Sequence, residues 1–98
     1  MKILKLEGKS ISNTEVDNTL EALQSAVGGF IETVTLIPGK AVMIVNEEGR
    51  LRGMTPNPIA SAAANTQIVG PAIIAGVDCD EFTDVPGDVE QCIRALFA

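Results

Sequence analysis

The polar residues best placed for chemistry lie in one window, NEEGRLRGMTPNP, residues 46–58. Arg50 and Arg52 stand two apart; on a short strand, LRGM, they point to one face. Pro56 and Pro58 stiffen the backbone on either side of Asn57 and bias Thr55 and Asn57 away from helix. If a helix follows, its amino terminus adds unpaired N–H groups that suit an anion. Two guanidinium groups, a rigid amide free to donate and accept, and a helix start are what a phosphate or nucleotide-like ligand uses. Arg50, Arg52, Thr55 and Asn57 are therefore the candidate ligand-binding set. A plainer reading competes: Asn57 caps a helix, and the arginines are solvated partners of Glu47 and Glu48.

Most other chemistry is missing. The chain has no histidine, which removes the commonest general base, a common zinc ligand and any Ser-His or Cys-His nucleophile. Neither a P-loop nor a dinucleotide-binding glycine motif occurs. The acidic run DCDEFTD, residues 78–84, fails as a calcium loop, because a start at Asp78 places Phe82 and Val89 where ligands belong. Its carboxylates read instead as a solvated connector, with Asp84 and Asp88 favouring a helix amino terminus. Cys79 lies between acids that disfavour its thiolate. No catalytic residue, metal site or cofactor is expected, and the chain reads as non-enzymatic.

Charge narrows the partners. The formal net charge is −6: residues 1–53 carry seven acids and six bases, residues 54–77 carry none, and residues 78–98 carry six acids and Arg94. Direct binding to duplex nucleic acid is disfavoured. With three phenylalanines and no Trp or Tyr, single-strand base stacking has little support either. A basic protein partner would be drawn to the carboxy-terminal part. The opening MKILKLEGKS is too polar for a secretion signal, and the uncharged stretch is broken by Pro56, Pro58 and Pro71, so no membrane span is expected. A cytoplasmic protein with reduced Cys79 and Cys92 follows.

Ninety-eight residues make a single domain, residues 1–98, with an aliphatic core. KILKL reads as a first strand. SNTE has capping-box spacing, and Val16, Leu20, Leu23 and Val27 then make a helical stripe closed by Gly28. Residues 30–54 predict a three-strand meander, with Phe30 or Ile31, Val34 and Leu36 inward, a turn at PGK, AVMIVN as a central strand and LRGM as the third. A short helix is expected over 58–64, with Asn57 as cap and Pro58 at its first position. IVGPAIIAGV reads as a strand at an edge or with a bulge, because Pro71 cannot donate. A last helix starts near Pro86, with Val89, Ile93, Leu96 and Phe97 as its buried stripe. The expected fold is α+β: a small mixed or mainly antiparallel sheet of about five strands, packed against two or three helices. Leu20, Leu23, Val42, Ile44, Ile73, Ile93 and Leu96 are expected to be buried together. The apolar segment 68–77 predicts a homo-oligomer formed by edge pairing.

The ordered set GKAVMIVNEEGRLRGMTPNPIASA, IVGPAIIAG and DEFTDV resembles a family of small proteins known only as a domain of unknown function. That family is encoded by phages, plasmids and related mobile elements. The resemblance covers roughly residues 30–88 and brings no catalytic residue with it. It implies an accessory protein working inside a bacterial host. The leading expectation is a binding protein that antagonises host defence, either by sequestering a small anionic, nucleotide-like signal or by blocking a host protein. The alternatives are an acidic module imitating nucleic acid and a structural accessory protein without a ligand.

Overall fold

A computed structural model describes residues 1–97. Three ββα units follow one another: β1 (Lys2–Glu7), β2 (Ser10–Glu15) and α1 (Leu20–Val27); β3 (Ile31–Ile37), β4 (Ala41–Asn46) and α2 (Pro58–Ala64); β5 (Ala72–Asp78), β6 (Glu81–Thr83) and α3 (Gly87–Leu96). All strand pairings are antiparallel, in the order β2-β1-β5-β4-β3. The short β6 also pairs with β5, and Val85 N–H donates to Lys2 O (2.8 Å), tying its exit to the start of β1. The α+β class is as expected, with one antiparallel sheet and six strands.

The sheet is covered on both faces. Leu4, Leu6, Met43, Val45, Ala72 and Ile74 pack under α2 and α3, against Ile59, Ala60, Val89 and Ile93. Ile3, Val42, Ile44, Ile73 and Ala75 pack under α1, against Leu23 and Val27. All six residues of β4 are buried, as a nearly continuous apolar run predicts for a central strand covered on both faces. The expected core is therefore divided. Leu23, Val42, Ile44 and Ile73 do share one cluster, but Ile93 lies across the sheet, and Leu20 and Leu96 are exposed. Phe30 is also exposed, leaving Ile31 as the inward residue at that point.

Three local expectations are corrected. SNTE is not a capping box: Ser10–Glu15 pairs with β1 along its whole length, and Thr19 is the cap of α1, accepting from Ala22 N–H at 3.2 Å. Hairpin pairing over six residues outweighs a local capping signal. Residues 47–53 form hydrogen-bonded turns rather than a third meander strand. The third expectation fails at Pro71, which lies just outside β5, so that the strand is central, between β1 and β4. A missing N–H costs the ladder nothing at that position, and the proposed oligomer edge at 68–77 is already occupied. The Asn57 cap, Pro58 start and 58–64 span of α2 stand as read, as does Gly28 in the left-handed conformation closing α1.

Gly76 shows why the chain can turn back after β6. A Cβ there would run into the Asp84 carbonyl oxygen and come within 2.9 Å of Thr83 Cγ2. Gly76→Ala is expected to cost about 1–3 kcal/mol, read as a lower denaturant midpoint. An unchanged midpoint would mean that the 83–84 segment moves aside freely.

Candidate functional site

Asn46, buried at the end of β4, starts the loop that carries the candidate residues. Its Oδ1 accepts from Glu48 N–H (2.8 Å) and its Nδ2 donates to Val27 O at the end of α1 (3.1 Å). The chain then coils: Arg52 N–H donates to Glu48 O (2.9 Å) and Met54 N–H to Gly49 O (2.9 Å), with Gly53 at φ +65°. In such a coil residues two apart diverge, whereas on a strand they would align. Arg50 Nη2 donates to Gln67 O (3.2 Å), while Arg52 Nη1 donates to Gly28 O (2.7 Å). The arginines thus brace the coil on two different segments, and among the described residues neither forms an ion pair with Glu47 or Glu48.

Asn57 is buried and its amide is fully engaged. Nδ2 donates to Leu6 O and to Gly70 O, both at 2.9 Å, and Oδ1 accepts from Ala60 N–H at 3.1 Å as the cap of α2. One side chain joins the end of β1, the entry to β5 and the start of α2. The amide expected to be free for a ligand is committed to the interior. Thr55 is exposed, and its carbonyl accepts from Gly70 N–H (2.8 Å).

The four candidate residues do not converge. Arg50 lines a cleft of about 330 Å³ with Glu32, Glu47, Thr66 and Gln67 over a floor that includes Val34, Val45 and Ile68. Thr55 and Asn57 border another of about 450 Å³ with Glu7, Gly8, Gly70 and Pro71. Arg52 lines a third of about 200 Å³ with Gln24, Gly29, Phe30 and Glu48. Each arginine shares its cleft with at least one carboxylate, and the cleft at Thr55 and Asn57 has Glu7 and no base. None carries the net positive charge that favours a phosphate. Sequence reasoning missed Asn46; its signal was an asparagine closing an apolar strand immediately before Glu-Glu-Gly, the setting of an Asx turn.

Charge converges at the other end of the sheet. Glu15 pairs with Lys2, Asp84 Oδ1 accepts from Lys2 N–H (2.7 Å), and Asn18 Nδ2 donates to Phe82 O (2.8 Å). Val77 N–H donates to Lys40 O (3.0 Å) and Lys40 pairs with Asp88, bringing the start of β4 and of α3 to the same pole. The β5–β6 hairpin turns through Cys79 and Asp80, both at positive φ (49° and 67°), as a two-residue hairpin requires. Glu15, Asp17, Asp78, Asp80, Glu81, Asp84 and Asp88 thus lie toward one end of the sheet with Lys2 and Lys40, seven carboxylates against two lysines, and Glu21 in the first turn of α1 adds to them.

Lys40, hydrogen-bonded to Asp88, holds that carboxyl below its ordinary range, and Arg94, followed by Asn13, does the same for Glu90. Groups whose folded pKa is depressed contribute stability above their unfolded pKa and lose it as pH falls through the folded one. Stability is therefore expected to decline with acidification below the ordinary carboxylate range. Asp88→Asn combined with Glu90→Gln should flatten that decline, measured by thermal melts across pH. An unchanged slope would assign it to other carboxylates.

Fold and site together define a small α+β protein with shallow clefts at one pole and concentrated carboxylates at the other. The family model for Domain of unknown function (DUF3846) matches residues 1–98, and the chain belongs to that family. No curated protein and no solved structure matches it. Among the described residues, no helix is long and apolar enough to cross a membrane.

Proposed function

We propose that this chain is a non-enzymatic, self-associating accessory protein that occupies another protein through its acidic pole. In the mobile-element setting that its resemblance implies, the partner would be a bacterial host protein of defence, met in the cytoplasm. The observation that supports this reading is the excess of carboxylates over lysines around β6 and the amino termini of α1 and α3, where a basic protein surface is drawn by its field. The nucleotide-sequestering alternative has weaker support, because Arg50 and Arg52 serve separate clefts and each also hydrogen-bonds a backbone carbonyl.

A charge-matched comparison tests the proposal, with a short Lys/Arg peptide as the probe. One variant neutralises Asp78, Asp80, Glu81 and Asp84; the other neutralises Glu7, Glu32, Glu47 and Glu48; both change the net charge from −6 to −2. The first should weaken binding at least about tenfold more than the second, in a salt-dependent manner. Equal weakening would reduce the interaction to net charge and sink the reading. A melting temperature raised by cyclic nucleotides would instead favour a small-ligand function.

A further inference from the structure

Apart from the three-residue β6, which pairs only with β5, the outer strands of the described sheet are β2 and β3. Glu47 N–H donates to Phe30 O (2.8 Å), which makes Phe30 and Glu47 a hydrogen-bonded antiparallel pair. By alternation, Glu32 and Val34 turn their backbone groups toward β4, while Ile31, Thr33 and Thr35 turn theirs outward. The strand, IETVTLI, contains no Lys, Pro or Gly, and its bulge lies beyond Thr35. Among the described residues, no side chain hydrogen-bonds to this outer edge, whereas Arg94 of α3 reaches Asn13 on the β2 edge. β3 therefore lacks most of the devices that prevent edge pairing.

We propose that β3 pairs antiparallel with β3 of a second copy, about a two-fold axis at Thr33. In that register Thr33 faces Thr33 of the second copy and Ile31 faces Thr35, so all three outward residues of each strand are hydrogen-bonded. Glu32 falls opposite Val34, so no like charges stand directly opposite and the two Glu32 side chains meet only on the diagonal, which leaves the edge complementary to itself, as an isologous contact requires. The resulting sheet runs continuously through both copies. Glu32 and Val34 also line the Arg50 cleft, which puts one of its walls at the interface. The proposal rests on the reading of the chain as self-associating and replaces the occupied 68–77 edge with a free one.

Light scattering over a range of concentrations tests it. The wild-type mass should rise from 10.3 kDa toward twice that value. Thr33→Pro removes an outward N–H and leaves the β4 ladder intact, so the variant should melt like wild type while self-association weakens at least about tenfold. Thr33→Lys and Thr33→Glu place like charges at the axis. Each should stay monomeric alone, and an equimolar mixture should associate, a result that stands even if the proline variant does not fold. Constant single-chain mass for wild type, wild-type association by folded Thr33→Pro, or failure of the mixture to associate would overturn the proposal. Peptide binding at the acidic pole should be the same for monomeric Thr33→Lys as for wild type, so failure here is distinct from failure of the acidic-pole reading.

Discussion

Replacing Asn57 with alanine is expected to lower the unfolding free energy by about 3–5 kcal/mol, a large share of the roughly 5–15 kcal/mol typical of a domain. The amide is buried and satisfies three backbone groups: Leu6 O and Ala60 N–H in buried bonds, and Gly70 O in a partly buried one. Alanine removes all three bonds, and each buried group left without a partner costs about 1–3 kcal/mol, with Gly70 O, only partly buried, at the low end. Two further variants divide the effect. Asn57→Ser retains a cap for α2 and should recover about 1 kcal/mol. Asn57→Asp keeps the cap oxygen but turns an acceptor toward the Leu6 and Gly70 carbonyls, so it should remain far below wild type. Denaturant unfolding with an unchanged m-value is the measurement. If alanine lies within about 1 kcal/mol of wild type, Asn57 is not the clamp its hydrogen bonds describe.

Ile44→Ala should cost about 2–5 kcal/mol, because Ile44 is fully buried in the middle of β4, beneath Leu23 and Val27 of α1. Double variants carry the sharper test. Ile44→Ala and Leu23→Ala share one cluster and should couple by more than about 0.5 kcal/mol. Ile44→Ala and Ile93→Ala empty opposite faces of the sheet and should add within about 0.5 kcal/mol. Strong coupling of the second pair would mean that the two cores behave as one. A cost below about 0.5 kcal/mol for both Ile44→Ala and Leu23→Ala would mean that the α1 face is not a core at all.

The sequence by itself determined the elements whose signals are local and uncontested. β4 was legible because five consecutive apolar residues, Ala41–Val45, between turn signals suit a strand covered on both faces, and α2 because Asn57 and Pro58 both mark a helix start. The aliphatic core and the excess of carboxylates were equally plain. Tertiary structure decided everything that depends on which segments meet. SNTE carries a helix-start signal, but six residues of pairing with β1 made it a strand. Arg50 and Arg52 were read as neighbours on one face because the coil that separates them is set by Asn46, through its bonds to Glu48 and to Val27 at the end of a distant helix. Asn57 was rightly read as a cap, yet its other two partners, Leu6 and Gly70, lie 51 and 13 residues away. The acidic pole followed the same rule. Glu15 and Asp17 join the carboxylates of residues 78–88 only because β1 lies between β2 and β5. Period and capping report on a residue's near neighbours, whereas a site is made of distant ones, and the pairing of strands chooses them.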